Sequence, residues 1–140
     1  MTIPLIDEYN WQELEQAYGS AENAPKFLND LLSGDEDLLD EAINDFLFGQ
    51  ACHQYTTYSC TPPVVKCVVF ILNNYELDSY IISQLLQFIH ACTYNAVSIP
   101  ELRKEILLGL NCYKVFEKHP DEKVDLTADS LIKFCSTYGG

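Results

Sequence analysis

Residues 11–65 read WQELEQAYGSAENAPKFLNDLLSGDEDLLDEAINDFLFGQACHQYTTYSCTPPVV, a run of short amphipathic segments cut apart by Gly and Pro. Asn10 precedes Trp11 with Glu13 three residues on, an N-cap with an acid in the first turn, and Gly19 stops that segment after Tyr18. Asn23 and Pro25 open a second helix with Phe27, Leu28, Leu31 and Leu32 on one face, and Ser33-Gly34 ends it. Asp35 caps the third helix, in which Leu38, Leu39, Ala42, Ile43, Phe46 and Leu47 form one apolar stripe. Glu36, Asp37, Asp40, Glu41 and Asp45 decorate the rest of it. Helix pairs this short cannot enclose their own apolar faces. Stacking on another pair buries them, which is the logic of a helical-repeat solenoid.

The same punctuation recurs downstream. Gln50 to Thr61 carries His53, Tyr55, Tyr58 and scattered Thr and Ser; it reads as a loop or a frayed helix end, with no Gly to allow a sharp reversal. Pro62-Pro63 suits the first turn of a helix, where the missing N–H costs nothing. Val64 to Leu72 is apolar on nearly all sides and locally suits a buried strand. Its helical neighbours make it a buried helix. Asp78 caps a helix with Ile81, Ile82, Leu85, Leu86, Ile89 and Cys92 inward. Ser98 and Pro100 start another, carrying Leu102, Ile106, Leu107, Leu110, Tyr113 and Phe116 to a break at His119-Pro120-Asp121. The last helix buries Val124, Leu131, Ile132 and Cys135 and runs to Gly139-Gly140. The prolines at 25, 62/63 and 100 fall 37 or 38 residues apart, near the length of a HEAT-type repeat. The expectation is a single all-α domain over residues 1–140, a HEAT-like α-solenoid of about three helix pairs with an N-terminal capping helix. A decorated four-helix bundle is the alternative.

Composition narrows the function. The net charge is −13, and residues 1–45 carry −11 of it, twelve acids against Lys26 alone. Such a field repels nucleic acid and anionic membrane and steers basic partners inward; its bland counterpart is a solvated surface that keeps the chain soluble. No run approaches the roughly 20 apolar residues of a membrane helix. Met1 to Glu8 has no basic n-region or long apolar core, so no secretory signal is visible. Six cysteines stand at 52, 60, 67, 92, 112 and 135, with no Cys-x-x-Cys. Cys67, Cys92, Cys112 and Cys135 fall in apolar helical patterns, where a free thiol behaves as a small hydrophobe. Free thiols imply a reducing cytoplasm.

The chemistry of catalysis is thin. Cys52, His53 and Cys60 form the one local cluster of soft ligands, and zinc needs a fourth ligand at closer spacing. A cysteine hydrolase needs thiol and imidazole held together, whereas Cys52 and His53 are sequence neighbours that point apart on a helix. Gly-x-Ser-x-Gly, the P-loop and Gly-x-Gly-x-x-Gly are all missing. His90 lies near an apolar helix face and reads as a packed side chain, and His119 reads as a cap at a helix C-terminus. No enzyme, metal or cofactor is expected.

The run Trp11-x-x-Leu14-x-x-Ala17-Tyr18-Gly19-Ser20-Ala21, then Pro25-x-x-Leu28, the acidic helix, His53-Gln54-x-Thr56-x-Tyr58 and Thr61-x-Pro63-Val64-Val65 resembles the start of a group of bacterial HEAT-repeat proteins. The likeness covers about the first 70 residues. It departs at Tyr55, where the group has Gly, and at Cys67, where a second Pro is usual. The resemblance implies an α-solenoid, and some small members act as immunity proteins beside secreted toxins. The expected function is therefore a cytoplasmic, non-catalytic immunity protein that blocks the active site of a basic bacterial toxin. Glu36, Asp37, Asp40, Glu41 and Asp45 would steer the toxin, and Tyr55 and Tyr58 would anchor it. Those tyrosines have a structural reading too, as covers for the core edge. The runner-up is a scaffold or adaptor with an endogenous protein partner, and a self-assembling acidic domain is a third option.

Overall fold

The computed structural model describes residues 3–139. Two 3₁₀ turns, Pro4–Glu8 and Trp11–Glu13, lead into a hairpin of β1 (Glu15–Gln16) and β2 (Gly19–Ser20). Helix α1 (Ala24–Asp30) follows, then α2 (Glu36–Asp40), which runs on without a break as a π-helix over Glu41–Ala51. A second hairpin pairs β3 (Cys52–His53) with β4 (Thr56–Thr57). The remainder is helical: α3 (Thr61–Asn74), α4 (Ser79–Ala96), α5 (Pro100–Leu108), α6 (Leu110–Val115) and α7 (Glu122–Tyr138). The chain is therefore mostly helical, as its periodicity indicates.

The expected capping helix over residues 11–18 does not form. Trp11 is buried, its indole Nε1 donating to the Ile6 carbonyl at 2.8 Å, but the chain leaves helical geometry at Leu14. Gly19, at φ 99°, turns it back as a hairpin instead. Distant groups hold that hairpin. The Ala17 N–H donates to the Gln50 carbonyl at 2.9 Å, the Tyr18 N–H to the Gln50 side-chain oxygen at 2.8 Å, and the Glu15 N–H to Ser59 Oγ at 2.7 Å. The Glu15 carbonyl accepts from the Cys60 N–H in return. Hydrogen bonds to the chain on either side of the second hairpin thus outcompete the local helical pattern.

That second hairpin reverses sharply without a glycine. Gln54 and Tyr55 both take left-handed backbone, at φ 49° and 66°, the conformation a two-residue hairpin turn demands at its centre. A side chain there costs about 1 kcal/mol or more against Gly. The Asn95 side chain donates to the Tyr55 carbonyl and pins the turn against α4.

The π register explains the apolar stripe. Ala42, Ile43, Phe46, Leu47 and Ala51 are all fully buried. In an α-helix Ala51 would point about 180° away from Ala42; the wider π turn brings both to the core. The Cys52 N–H, donating five residues back to the Leu47 carbonyl, closes the last such turn.

Elsewhere the caps stand where the sequence puts them. Asp35 accepts from the N–H groups of Asp37 and Leu38, and Asp78 from that of Ile81. Pro62 and Pro63 begin α3, whose Val64, Val65, Val68 and Ile71 are buried, so this segment is a helix and not a strand. Two details differ. The helix expected to run on from Pro100 breaks at Gly109 into α5 and α6. The His119 side chain serves the next helix and not the preceding one: its Nδ1 accepts from the Asp121 N–H at 3.0 Å at the entry to α7, and only its backbone N–H donates back, to the Phe116 carbonyl.

Helices pack in two files. Along one, α1 lies on α3 and α3 on α5; along the other, the π-helix lies on α4 and α4 on α7. Cross-contacts of α1 with the π-helix, of α3 with α4 and of α6 with α7 close the core between the files. Phe27 stacks on Phe46, centroids 5.3 Å apart, and Tyr113, Phe88 and Leu102 lie wholly inside. Each such side chain contributes about 2–3 kcal/mol through the area it removes from water.

Candidate functional site

The 36–51 helix and α4 run side by side in the same direction. At their N-terminal ends Glu36, Asp37, Leu39 and Asp40 share a hollow of about 420 Å³ with Asp78 and Tyr80. At their C-terminal ends Phe48, Cys52, Gln54 and Tyr55 share another of about 420 Å³ with Gln87, His90, Ala91 and Tyr94. One face therefore has an acidic end and an aromatic end.

All five acids expected to steer a partner are exposed: Glu36, Asp37, Asp40, Glu41 and Asp45. The structure gathers three of them with Asp78. Asp40 accepts from the Asn44 side chain at 2.7 Å. The Lys26 pKa is raised, first by its hydrogen bond to Asp30 and further by the charges of Asp30 and Glu41. Glu36 and Asp37 occupy the first turn of α2, Asp78 caps α4, and Asp121, Glu122 and Asp125 stand at the start of α7. Carboxylates in those places complement the helix dipoles, so part of the acidity has a purely local cause.

The two tyrosines part company. Tyr55 is 57% exposed at the hairpin tip, its ring 4.7 Å from that of Tyr94. Tyr58 is half-buried and lines a separate recess with Gln12 of the second 3₁₀ turn and with Gln16 and Gly19 of the first hairpin. The two do not form one anchor.

Beyond Tyr55, four tyrosines are exposed among the described residues, Tyr18, Tyr80, Tyr94 and Tyr138, none of them a site residue on the sequence reading. A signal was there. Helix α4 has no charged side chain in its eighteen residues, in a chain of net charge −13. Its outward residues run Tyr80, Gln84, Gln87, His90, Tyr94, with Tyr80 at 54% and Tyr94 at 63% exposure. A solvated helix face normally carries Lys or Glu; a stripe rich in tyrosine and poor in charge has the composition of an interface centre.

The cysteines are free and buried among the described residues. Cys52 lies on the cavity wall, and hydrogen bonding with the neighbouring Cys92 thiol holds its pKa below the ordinary value, while burial raises that of Cys92. Burial pushes Cys60, Cys67 and Cys112 up to about 12. His53 packs edge-on against Tyr18 at 5.5 Å and is not the thiol's partner. Burial also lowers the His90 pKa, favouring neutral imidazole. No three His, Cys, Asp or Glu side chains converge on a metal site among the described residues, and none of their helices is long and apolar enough to cross a membrane. Because the thiolate is the nucleophile, iodoacetamide at mildly alkaline pH is expected to modify Cys52 first and Cys60, Cys67, Cys92 and Cys112 last. Peptide mass mapping reads the order; equal labelling of Cys52 and Cys112 would contradict it.

Set against protein-family models, curated proteins and solved structures, the chain finds no match in any of the three.

Proposed function

We propose that the chain is a HEAT-like α-solenoid working as a cytoplasmic immunity protein: it binds a basic bacterial toxin and covers its active site without catalysis. Two helix files, each member packing on its neighbours, support the solenoid reading. They amount to three pairs: α1 with 36–51, α3 with α4, and α5–α6 with α7. The observation that carries the binding reading is the uncharged tyrosine–glutamine stripe of α4, bordered at one end by Glu36, Asp37, Asp40 and Asp78. Such a face is built for contact at its centre and for charge steering at its rim. Six buried free thiols suit a reducing compartment.

The test is co-expression with the neighbouring gene product and capture at low and high salt. A basic partner held at low salt and partly released at high salt is expected. Changing Asp37, Asp40 and Glu41 to Lys should then slow association about tenfold and flatten its salt dependence, with the far-ultraviolet circular dichroism unchanged. Unaltered kinetics would remove the acidic helix from the interface. The second reading, an adaptor with an endogenous partner, is favoured by the placement of the acids at helix N-termini, where they serve the fold. A neutral or acidic protein captured equally at both salts would select it.

A further inference from the structure

We propose that the cavity between the hairpin tip and the end of α4 seats an arginine side chain of the partner, its guanidinium lying on the faces of Tyr55 and Tyr94. This deepens the reading of the chain as a binder of a basic protein and rests on it.

The walls carry the argument. Phe48, Tyr55 and Tyr94 supply three aromatic rings, and no lysine, arginine or carboxylate lines the space. The rings of Tyr55 and Tyr94 meet at 59°, a corner that offers ring face to a planar cation. The attraction lies in the rings, since Arg103 already caps the end of α4, its Nη1 donating to the Val97 carbonyl at 2.7 Å. The chain's net charge of −13 favours a cationic occupant. A leucine would fill the space but gain nothing from the ring faces. Arginine gains more than lysine, since its flat, weakly hydrated guanidinium stacks on rings and keeps several donors free. One acceptor is prepared: Gln87 Nε2 donates to Ser83 Oγ at 2.7 Å, which leaves its carbonyl oxygen for the ligand.

Tyr55 is also held ready. A ring exposed to water gives its own fold little, yet here it stands on left-handed backbone that a glycine would take more easily, with Asn95 fixing its carbonyl. Preorganisation of that kind lowers the entropy cost of binding.

The probes are N-acetyl-arginine amide, its neutral isostere N-acetyl-citrulline amide and N-acetyl-leucine amide. They are titrated into the intact protein while the tyrosine ring and backbone amide resonances are followed by NMR. The arginine compound is expected to shift Tyr55 and Tyr94 saturably, with a dissociation constant on the order of millimolar. Tyr94→Ala should weaken it about fivefold or more. Tyr55→Gly, which suits the backbone of the turn and so keeps the hairpin, should weaken it similarly. Equal shifts from the citrulline or leucine compound would overturn the cation assignment, as would no saturable shift at all. Shifts confined to backbone amides around Asp37, Asp40 and Asp78 would overturn the cavity as the seat while leaving a basic partner intact. Arginine binding in the cavity without capture of any basic protein would keep the seat and remove the toxin reading.

Discussion

Gly109→Ala is expected to lower stability by about 3–4 kcal/mol, combining overpacking with loss of a buried hydrogen bond. The cause is space, not backbone freedom, since Gly109 sits at φ −82° where any residue fits. A β-carbon there would lie 2.4 Å from Tyr113 Oη and 2.9 Å from Cε1. Tyr113 has nowhere to go: it is fully buried, and its hydroxyl donates to the Ile106 carbonyl at 2.7 Å. The Ile106 carbonyl also accepts from the Gly109 N–H at 3.0 Å, so displacing the ring would leave the tyrosine hydroxyl, and not the backbone at the break, unpaired in the interior. Urea unfolding reads the loss, with a fall in melting temperature of about 10 °C. In a Tyr113→Ala background the same methyl should cost under about 1 kcal/mol, because the clash is gone. Equal losses in both backgrounds would show that the backbone, and not the ring, requires glycine.

Thr61→Val should cost about 2–4 kcal/mol although the shapes are nearly identical. The Thr61 hydroxyl is wholly buried, donates to the Ala51 carbonyl at 2.6 Å and accepts from the Tyr58 N–H at 2.8 Å. It joins the last residue of the π-helix to the first of α3 across the hairpin that carries Tyr55. Valine leaves both backbone groups unpaired in the interior. Thr61→Ser keeps the hydroxyl and loses one methyl, about 0.8 kcal/mol of burial. Equal losses for Ser and Val would trace the effect to packing instead.

Helices were legible where their information is local. The stripe from Leu38 to Leu47, the caps at Asp35 and Asp78, and the proline starts of α1, α3 and α5 all depend on residues a few places apart. What escaped depends on distant partners. Trp11 to Gly19 has helical spacing, but Gln50, Ser59 and Cys60 claim its backbone groups from more than thirty residues away. The turn at Gln54-Tyr55 lacks the glycine that would have announced it, and Tyr113 sets the break at Gly109 from the following helix. At the candidate site the acids were evident in sequence. The pairing of Tyr55 with Tyr94 was not, because the hairpin and α4 meet only in the fold.

The bonds between the two hairpins have one more consequence. Fraying usually releases loop tips one at a time, each at its own small free energy. Here Glu15, Ala17 and Tyr18 are bonded to Gln50, Ser59 and Cys60 at the base of the second hairpin, so neither base opens without unpairing the other. The two bases are then a single cooperative unit, and residues 15–18 set how rarely the support beneath Tyr55 opens.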